Sequence, residues 1–400
     1  MKVLFAVTGS GMGGHTKSAA ATAKALKALG VHPVFLLGPG MSARFLAGFD
    51  VPCYSLNLFQ RDLVLNIKSR ILSIIQDVGE CSVLHFFGSP KAAIPYAQAA
   101  QACDLRFCLT IPGGKPPASF CGFRDVVAFT REVSDQLIER ENVNLAVMPA
   151  RLERKAEFHS ERARAKFRPI INQYLECTND TIVLGRIARC STEYIGEIVS
   201  TAKEVALLNK QGINIKYCHI GFAHSLRVAR RIQKELKKLN ESGLVACSIQ
   251  KKIPDVWQYS SAFDLQVAAG RSALEAMEVG TPLIQYLGDG RFVGMDASTV
   301  PTLAAVNFSS RASSQLLDKS DPLGSIVKQM QDARKLQEVS DTYSAIVETY
   351  DSKNAAYFYQ TYYESCKIPS FSRYSKQSVL RRSGKDIARD ISFKLRDLFV

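Results

Sequence analysis

Several things are missing from this 400-residue chain. No apolar run approaches the roughly 18 residues of a membrane span, and Met1-Lys-Val-Leu-Phe-Ala-Val7 is too short an apolar stretch for a secretory signal before glycines intervene. None of the ten cysteines forms a Cys-x-x-Cys. Cys108, Cys218 and Cys247 lie inside apolar, strand-like runs, which predicts buried free thiols in a reducing compartment and argues against a disulfide frame or a zinc site. These absences point to a cytoplasmic protein. No nucleic-acid-binding motif is present, and aromatic residues are not interleaved with the basic runs, so nucleic acid is not an expected partner.

What is present suits two globular domains. Hydrophobic residues make up 46% and charged residues 22%, a globular balance in a chain too long for one ordinary core. The formal net charge of +14 favours anionic partners. Part of the excess is local: residues 367–400 hold nine Lys/Arg against Asp386, Asp390 and Asp397. There Leu380, Ile387, Ile391, Leu395 and Leu398 recur at helical spacing among the cations. Such a helix can lie at the inner face of an anionic membrane or pack on the protein's own surface.

Short apolar runs alternate with helical periodicity along the chain. Val3–Val7, Val34–Leu37, Pro52–Leu56, Ser82–Phe87, Arg106–Thr110, Val126–Phe129 and Leu145–Met148 read as strands, with helices over 14–29, 62–78, 91–102 and 131–140. The stretch 151–167 is dense in Arg, Lys and Glu and reads as a linker becoming a solvated helix. A second alternation follows: strands at 181–184, 214–219 and 244–249, helices at 194–209 and 225–239. βα alternation of this kind implies parallel, doubly wound sheets.

Ala268-Ala-Gly-Arg-Ser-Ala-Leu-Glu-Ala-Met-Glu-Val-Gly-Thr-Pro-Leu-Ile284 carries the most chemistry. After the apolar run ending at Val267 it reads as strand, glycine turn, helix and a further strand opening at Pro282. Gly270 frees the turn for close approach, and Ser272 is placed to cap the helix. The helix start offers unpaired N–H groups and partial positive charge to a phosphate. Glu275 falls in the first turn, where a carboxylate can accept from both vicinal hydroxyls of a ribose. A buried strand–helix corner would look similar locally.

Gly9, Gly11 and Gly14 fit G-x-G-x-x-G after the first strand. A dinucleotide site also needs an acid at the end of the second strand. That strand ends in Leu36-Leu-Gly-Pro-Gly40, and the first carboxylate of the chain is Asp50, so an NAD cofactor is not expected.

The 268–284 stretch resembles the nucleotide-sugar site of GT-B glycosyltransferases of the family 4 (group 1) type, matching their pattern at Gly270, Leu274, Glu275, Ala276, Met277, Gly280 and Pro282. The resemblance extends over roughly 1–365, through Val126–Leu137, Val147–Leu152 and the Tyr-rich Ala355–Cys366. It implies an α/β fold of two Rossmann-like domains facing each other across a cleft. The expected divisions are an acceptor-side domain at 1–150, a charged linker at 151–178, a nucleotide-sugar domain at 179–350, a crossover helix at 351–366 and a basic helical tail at 367–400.

The implied activity is transfer of a sugar from a nucleotide-diphosphate donor, most often uridine-linked in the family, to a hydroxyl of a glycan or lipid-linked glycan. No Asp-x-Asp is present, the metal–diphosphate motif of the other large glycosyltransferase fold, so no metal or cofactor is expected. By this resemblance Glu275 holds the ribose, while Gly270, Arg271, Ser272 and Arg186 of Leu184-Gly-Arg-Ile face the diphosphate, with Gly13 and Gly14 opposite. Gly221 belongs to the loop beneath the nucleotide. Ser191-Thr192 stand where the family has Lys-Gly, so Arg189 either supplies the missing charge or is ordinary surface. His15 is a general base for the acceptor or a helix-start residue bonding its loop. His85 matches a strand-end site histidine or is structural, and Gly113, Gly114 and Lys115 line the acceptor side. Val267 replaces the first of two glutamates common in retaining members, leaving stereochemistry open. Two other readings remain: a nucleotide-sugar epimerase on the same fold, and a non-catalytic membrane- or nucleic-acid-binding descendant.

Overall fold

The computed structural model describes residues 1–7, 14–38, 50–56, 63–113, 117, 121–138, 143–154, 160–223, 225–243, 245–250, 253, 255–329 and 332–369. The chain forms two compact units, Met1–Glu153 with the chain from Thr349 onward, and Arg154–Glu348.

The first unit is built on seven strands: β1 (Lys2–Val7), β2 (His32–Leu37), β3 (Cys53–Ser55), β4 (Val83–Phe87), β5 (Arg106–Ile111), β6 (Asp125–Ala128) and β7 (Asn144–Val147). They run β3-β2-β1-β4-β5-β6-β7, all parallel. Helices α1 (Gly14–Ala28), α2 (Leu63–Val78), α3 (Pro90–Ala102) and α4 (Arg131–Ile138) join them. Because both faces are covered, the strands are largely apolar, and alternate residues serve opposite cores. Leu4 and Ala6 pack on the α2–α3 side with Ile71 and Ala97, while Val3, Phe5 and Val7 pack on the α1 side with Ala20 and Ala23. Ser89 and Pro90 start α3: the Ser89 hydroxyl accepts from the Ala92 N–H, and proline costs nothing where no intrahelical donor is needed.

The second unit repeats the plan. Its strands are β8 (Ile182–Ile187), β9 (Ile215–Ile220), β10 (Ala246–Ile249), β11 (Leu265–Val267), β12 (Leu283–Gly288), β13 (Arg291–Gly294) and β14 (Asp321–Pro322), in the order β10-β9-β8-β11-β12-β13-β14. The first five are parallel, whereas β13 and β14 are antiparallel additions. The helices are α5 (Ser160–Leu175), α6 (Ile195–Lys210), α7 (Leu226–Leu239), α8 (Arg271–Glu278), α9 (Val300–Ala305), α10 (Ser313–Leu316), α11 (Leu323–Gln329) and α12 (Ala333–Thr349).

Helix α5 differs from the solvated linker helix expected of its charge. Ala163, Phe167, Ile171 and Leu175 recur at helical spacing and are buried with Val183 and Phe263. Its cations are also used structurally: Arg164 and Arg168 donate to the Asp264 carboxylate at 2.5 and 2.7 Å, and that carboxylate accepts from the Val183 N–H at 2.7 Å.

The last described helix, α13 (Ser352–Ser365), is capped by Asp351, whose carboxylate accepts from the Lys353 N–H at 2.9 Å. It belongs to the first unit, where Tyr359, Tyr362 and Tyr363 are buried with Phe5, Phe87 and Ala20. The departing and returning chains run side by side. Leu152 pairs with Asp351 in a parallel bridge, and the Arg151 guanidinium lies over the Phe129 and Tyr350 rings at 5.0 and 5.1 Å. The tail helix expected within 377–399 lies outside the described residues. No described helix is long and apolar enough to cross a membrane.

Candidate functional site

The C-terminal ends of β8, β9, β10 and β11 lie along one edge of the second sheet, the edge where doubly wound folds take ligands. Two glycines shape it. A Cβ on Gly221 would fall 1.7 Å from the Ala188 carbonyl oxygen, so only glycine lets the loops after β8 and β9 approach this closely. Gly270 has φ 58° and ψ −132°, a backbone that β-carbons disfavour, and it turns the chain from β11 into α8.

Behind Gly270, α8 begins without a side-chain cap. Ser272 does not take the role its position suggested. It sits inside the first turn, its hydroxyl donating to the Ala269 carbonyl at 2.8 Å and accepting from the Ala269 N–H at 3.3 Å. Those two bonds brace the turn. Glu275, its side chain 10% exposed, accepts from the Arg271 Nε at 2.8 Å. The resulting array at the helix mouth is a carboxylate, an adjoining guanidinium and helix N–H groups, which together suit ribose hydroxyls and phosphate.

Arg186 lies near the end of β8 with its side chain 3% exposed. Glu197 grips it with two oxygens, at 3.2 Å from Nε and 2.6 Å from the terminal nitrogen Nη2, and the Tyr194 ring lies 5.2 Å below. Burial pulls the guanidinium's pKa down, but Glu197 outweighs it and the net shift is upward, so the charge is kept. The other terminal nitrogen, Nη1, is buried with no hydrogen-bond partner, as are the Ser191 and Tyr217 hydroxyls. Arg189, by contrast, is exposed.

His219 ties three strand ends together. Its Nε2 donates to the Ala188 carbonyl at 3.0 Å, and its Nδ1 lies 3.0 Å from the Ser248 hydroxyl. Burial, reinforced by the Arg186 charge, pushes its pKa down to about 3, so the ring is neutral.

Sequence reasoning missed two groups here. One is the set around Arg186: Glu197, Tyr194 and Tyr217. The other is the Asn307-Phe308 corner, where both residues have positive φ, 60° and 52°, and the Phe308 carbonyl accepts from the Gly270 N–H at 2.9 Å. Asparagine tolerates that conformation, which is a faint signal. Phenylalanine gives none.

In the first unit, His85 is fully buried, with Nδ1 at 2.6 Å from the Tyr363 hydroxyl and Nε2 at 2.6 Å from that of Thr110. Thr110 in turn lies 2.9 Å from the Tyr359 hydroxyl. With both ring nitrogens engaged and burial lowering its pKa well below the usual histidine value, His85 fastens α13 to β4 and β5 and has no free nitrogen to offer an acceptor. His15 is half-buried on the first turn of α1, after the exposed Gly14. Gly113 is half-buried, while Gly13, Gly114 and Lys115 lie outside the described residues.

No family model matches the sequence, and no curated protein does. Solved structures do match. A glycosyltransferase from Rickettsia africae is 15% identical with a TM-score of 0.65, covering 91% of this chain and 98% of its own. The Anabaena protein HepE, solved with UDP and glucose, is 14% identical with a TM-score of 0.62, covering 91% and 100%. The UDP-GlcNAc 2-epimerase of Neisseria meningitidis, solved with UDP-GlcNAc, is 15% identical with a TM-score of 0.51, covering 87% and 99%. With two doubly wound α/β units along its length, the chain has the GT-B fold of the glycosyltransferase structures it matches.

Proposed function

We propose that the protein is a glycosyltransferase that moves a sugar from a nucleoside-diphosphate donor, uridine-linked, to a hydroxyl of a glycan or lipid-linked glycan, without a metal. The observation that carries this reading is the start of α8, with Gly270 at its mouth and Glu275 one turn further in, held by the Arg271 Nε. Glu275 accepts from the ribose hydroxyls, and Arg271 holds its carboxylate in place. The helix start and Arg271 take up charge as the bond from the anomeric carbon to the diphosphate breaks, the main electrostatic task of this reaction. Arg186, kept charged by Glu197, adds a fixed positive field at the end of β8. The acceptor oxygen forms the new bond to the anomeric carbon, and His15 takes its proton.

The test is thermal stabilisation by UDP, GDP and ADP and their sugars, on wild type and Glu275→Ala. A nucleotide at 100 times its dissociation constant stabilises the fold by about 2.7 kcal/mol. One nucleotide family should raise the melting temperature of wild type and not of the variant. No stabilisation by any of them refutes the donor site. Stabilisation by a UDP-sugar that is epimerised without an acceptor favours the epimerase reading instead.

A further inference from the structure

Helix α7 carries Arg227, Arg230, Arg231, Lys234, Lys237 and Lys238, against Glu235 within the helix and Glu241 just beyond it. At about 100° per residue these six cations fall within an arc of roughly 120°, a continuous stripe about 16 Å long. The opposite face, Ile232 and Leu236, is buried in the second unit. Packing against the sheet therefore fixes the stripe outward.

The stripe is costly to the helix. Arg227 with Arg230 and Arg231, Arg230 and Arg231 with Lys234, and Lys234 with Lys237 and Lys238 are all like charges three or four residues apart, which repel. Only Lys238 has an ion-pair partner among the described residues, Glu235 at 3.4 Å. A merely solvated face would carry interleaved carboxylates, since Glu–Lys spacing of the same kind stabilises a helix. At the start of α7, beside the stripe, one large apolar side chain stands out: Leu226 is 62% exposed.

We infer that α7 is a docking surface for an anionic lipid bilayer, lying along the headgroups with its cations facing the phosphates and Leu226 entering the interface. Charge complementarity and the exposed Leu226 at its edge carry the inference. Nucleic acid fits less well, because no aromatic residue stands within the stripe to stack on bases. The surface lies in the second unit, distinct from the basic tail, and does not depend on the donor site.

The experiment is co-sedimentation of the full-length protein with equimolar phosphatidylglycerol–phosphatidylcholine vesicles, and with pure phosphatidylcholine vesicles. The second protein is the triple variant Arg230→Gln, Lys234→Gln, Lys237→Gln, whose tail is unchanged. Each cation beside an anionic leaflet strengthens binding about five-fold, so the variant should bind roughly 100-fold more weakly. Removing mutual repulsion should leave its melting temperature equal or higher, which separates lost binding from lost folding. Wild-type binding to the anionic vesicles alone, weakened by this amount in the variant, is the expected result. Equal binding by both proteins, no binding by wild type, or capture by single-stranded RNA without vesicle binding overturns the inference.

Discussion

Glu197→Ala tests the reading of Arg186 as a buried cation that depends on one partner. The substitution strips Arg186 of both bonds to Glu197, and Nη1 already has none, so a guanidinium 3% exposed is left with no hydrogen-bond partner. Breaking a buried pair from one side costs about 3–5 kcal/mol. The Glu197 side chain is itself 19% exposed, so water can replace part of the loss, and the lower end, about 3 kcal/mol, applies. In a unit of about 200 residues this lowers the melting temperature by roughly 6–12 °C. Calorimetry on wild type, Glu197→Ala and the double variant Arg186→Met, Glu197→Leu separates charge from packing. Replacing both partners with apolar groups should restore most of the stability, because no uncompensated charge remains. The double variant should nevertheless bind UDP more weakly. A drop of less than about 3 °C in the single variant, or a double variant no more stable than the single one, refutes the argument.

Other consequences are testable in the same way. His219 has its pKa pushed down to about 3 in the folded protein, against an ordinary value near 6.5 when unfolded. Its contribution to stability is therefore complete above pH 6.5 and is lost at about 1.4 kcal/mol per pH unit as pH falls toward 3. Urea unfolding of His219→Asn should show a flatter dependence over pH 4–6.5, and an unchanged slope sinks the assignment. Gly221→Ala places a Cβ 1.7 Å from the Ala188 carbonyl oxygen, which cannot move without shifting β8's exit loop. The expected loss is about 1–3 kcal/mol with weakened nucleotide binding, and an unperturbed variant contradicts the close approach. Asp264→Ala removes the shared acceptor of Arg164, Arg168 and the Val183 N–H. A loss of roughly 2–3 kcal/mol by urea denaturation is expected, with Asp264→Asn intermediate. Stability within 0.5 kcal/mol of wild type, about the scatter of neutral surface changes, would show that α5 is not anchored there.

The parallel strands were legible because strands buried on both faces are apolar at nearly every position, as Val3–Val7 is throughout and Val83–Phe87 is apart from His85. The antiparallel β13 was not read. Arg291–Gly294 is short and has only Phe292 and Val293 to show. Its turn did carry a signal: Asp289-Gly290, with φ 49° and 72°, is the Asp-Gly pair of a tight hairpin. The charge of α5 concealed its apolar stripe, since one buried residue per turn among Arg, Lys and Glu looks like a solvated helix. The Gly270 turn and the helix that carries Glu275 were open to a local reading, because backbone freedom and the residues that open a helix are local properties. The partners of Arg186 and His85 come from elements 11 to 278 residues away, and no window of sequence places Glu197 or Tyr363 beside them.

The chain leaves the first unit after Glu153 and re-enters it at Thr349, so that unit is split in sequence with the second inserted into it. On a ribosome adding 5–20 residues each second, the intervening segment takes about 10–40 s to appear. Throughout that interval the α13-facing side of the first sheet, including Phe5, Phe87 and the ring of His85, has no tyrosines to cover it. The second unit, continuous in sequence, can finish folding first. The first is completed only when Tyr359 and Tyr363 arrive, so damage to α13 acts on the oldest part of the nascent protein.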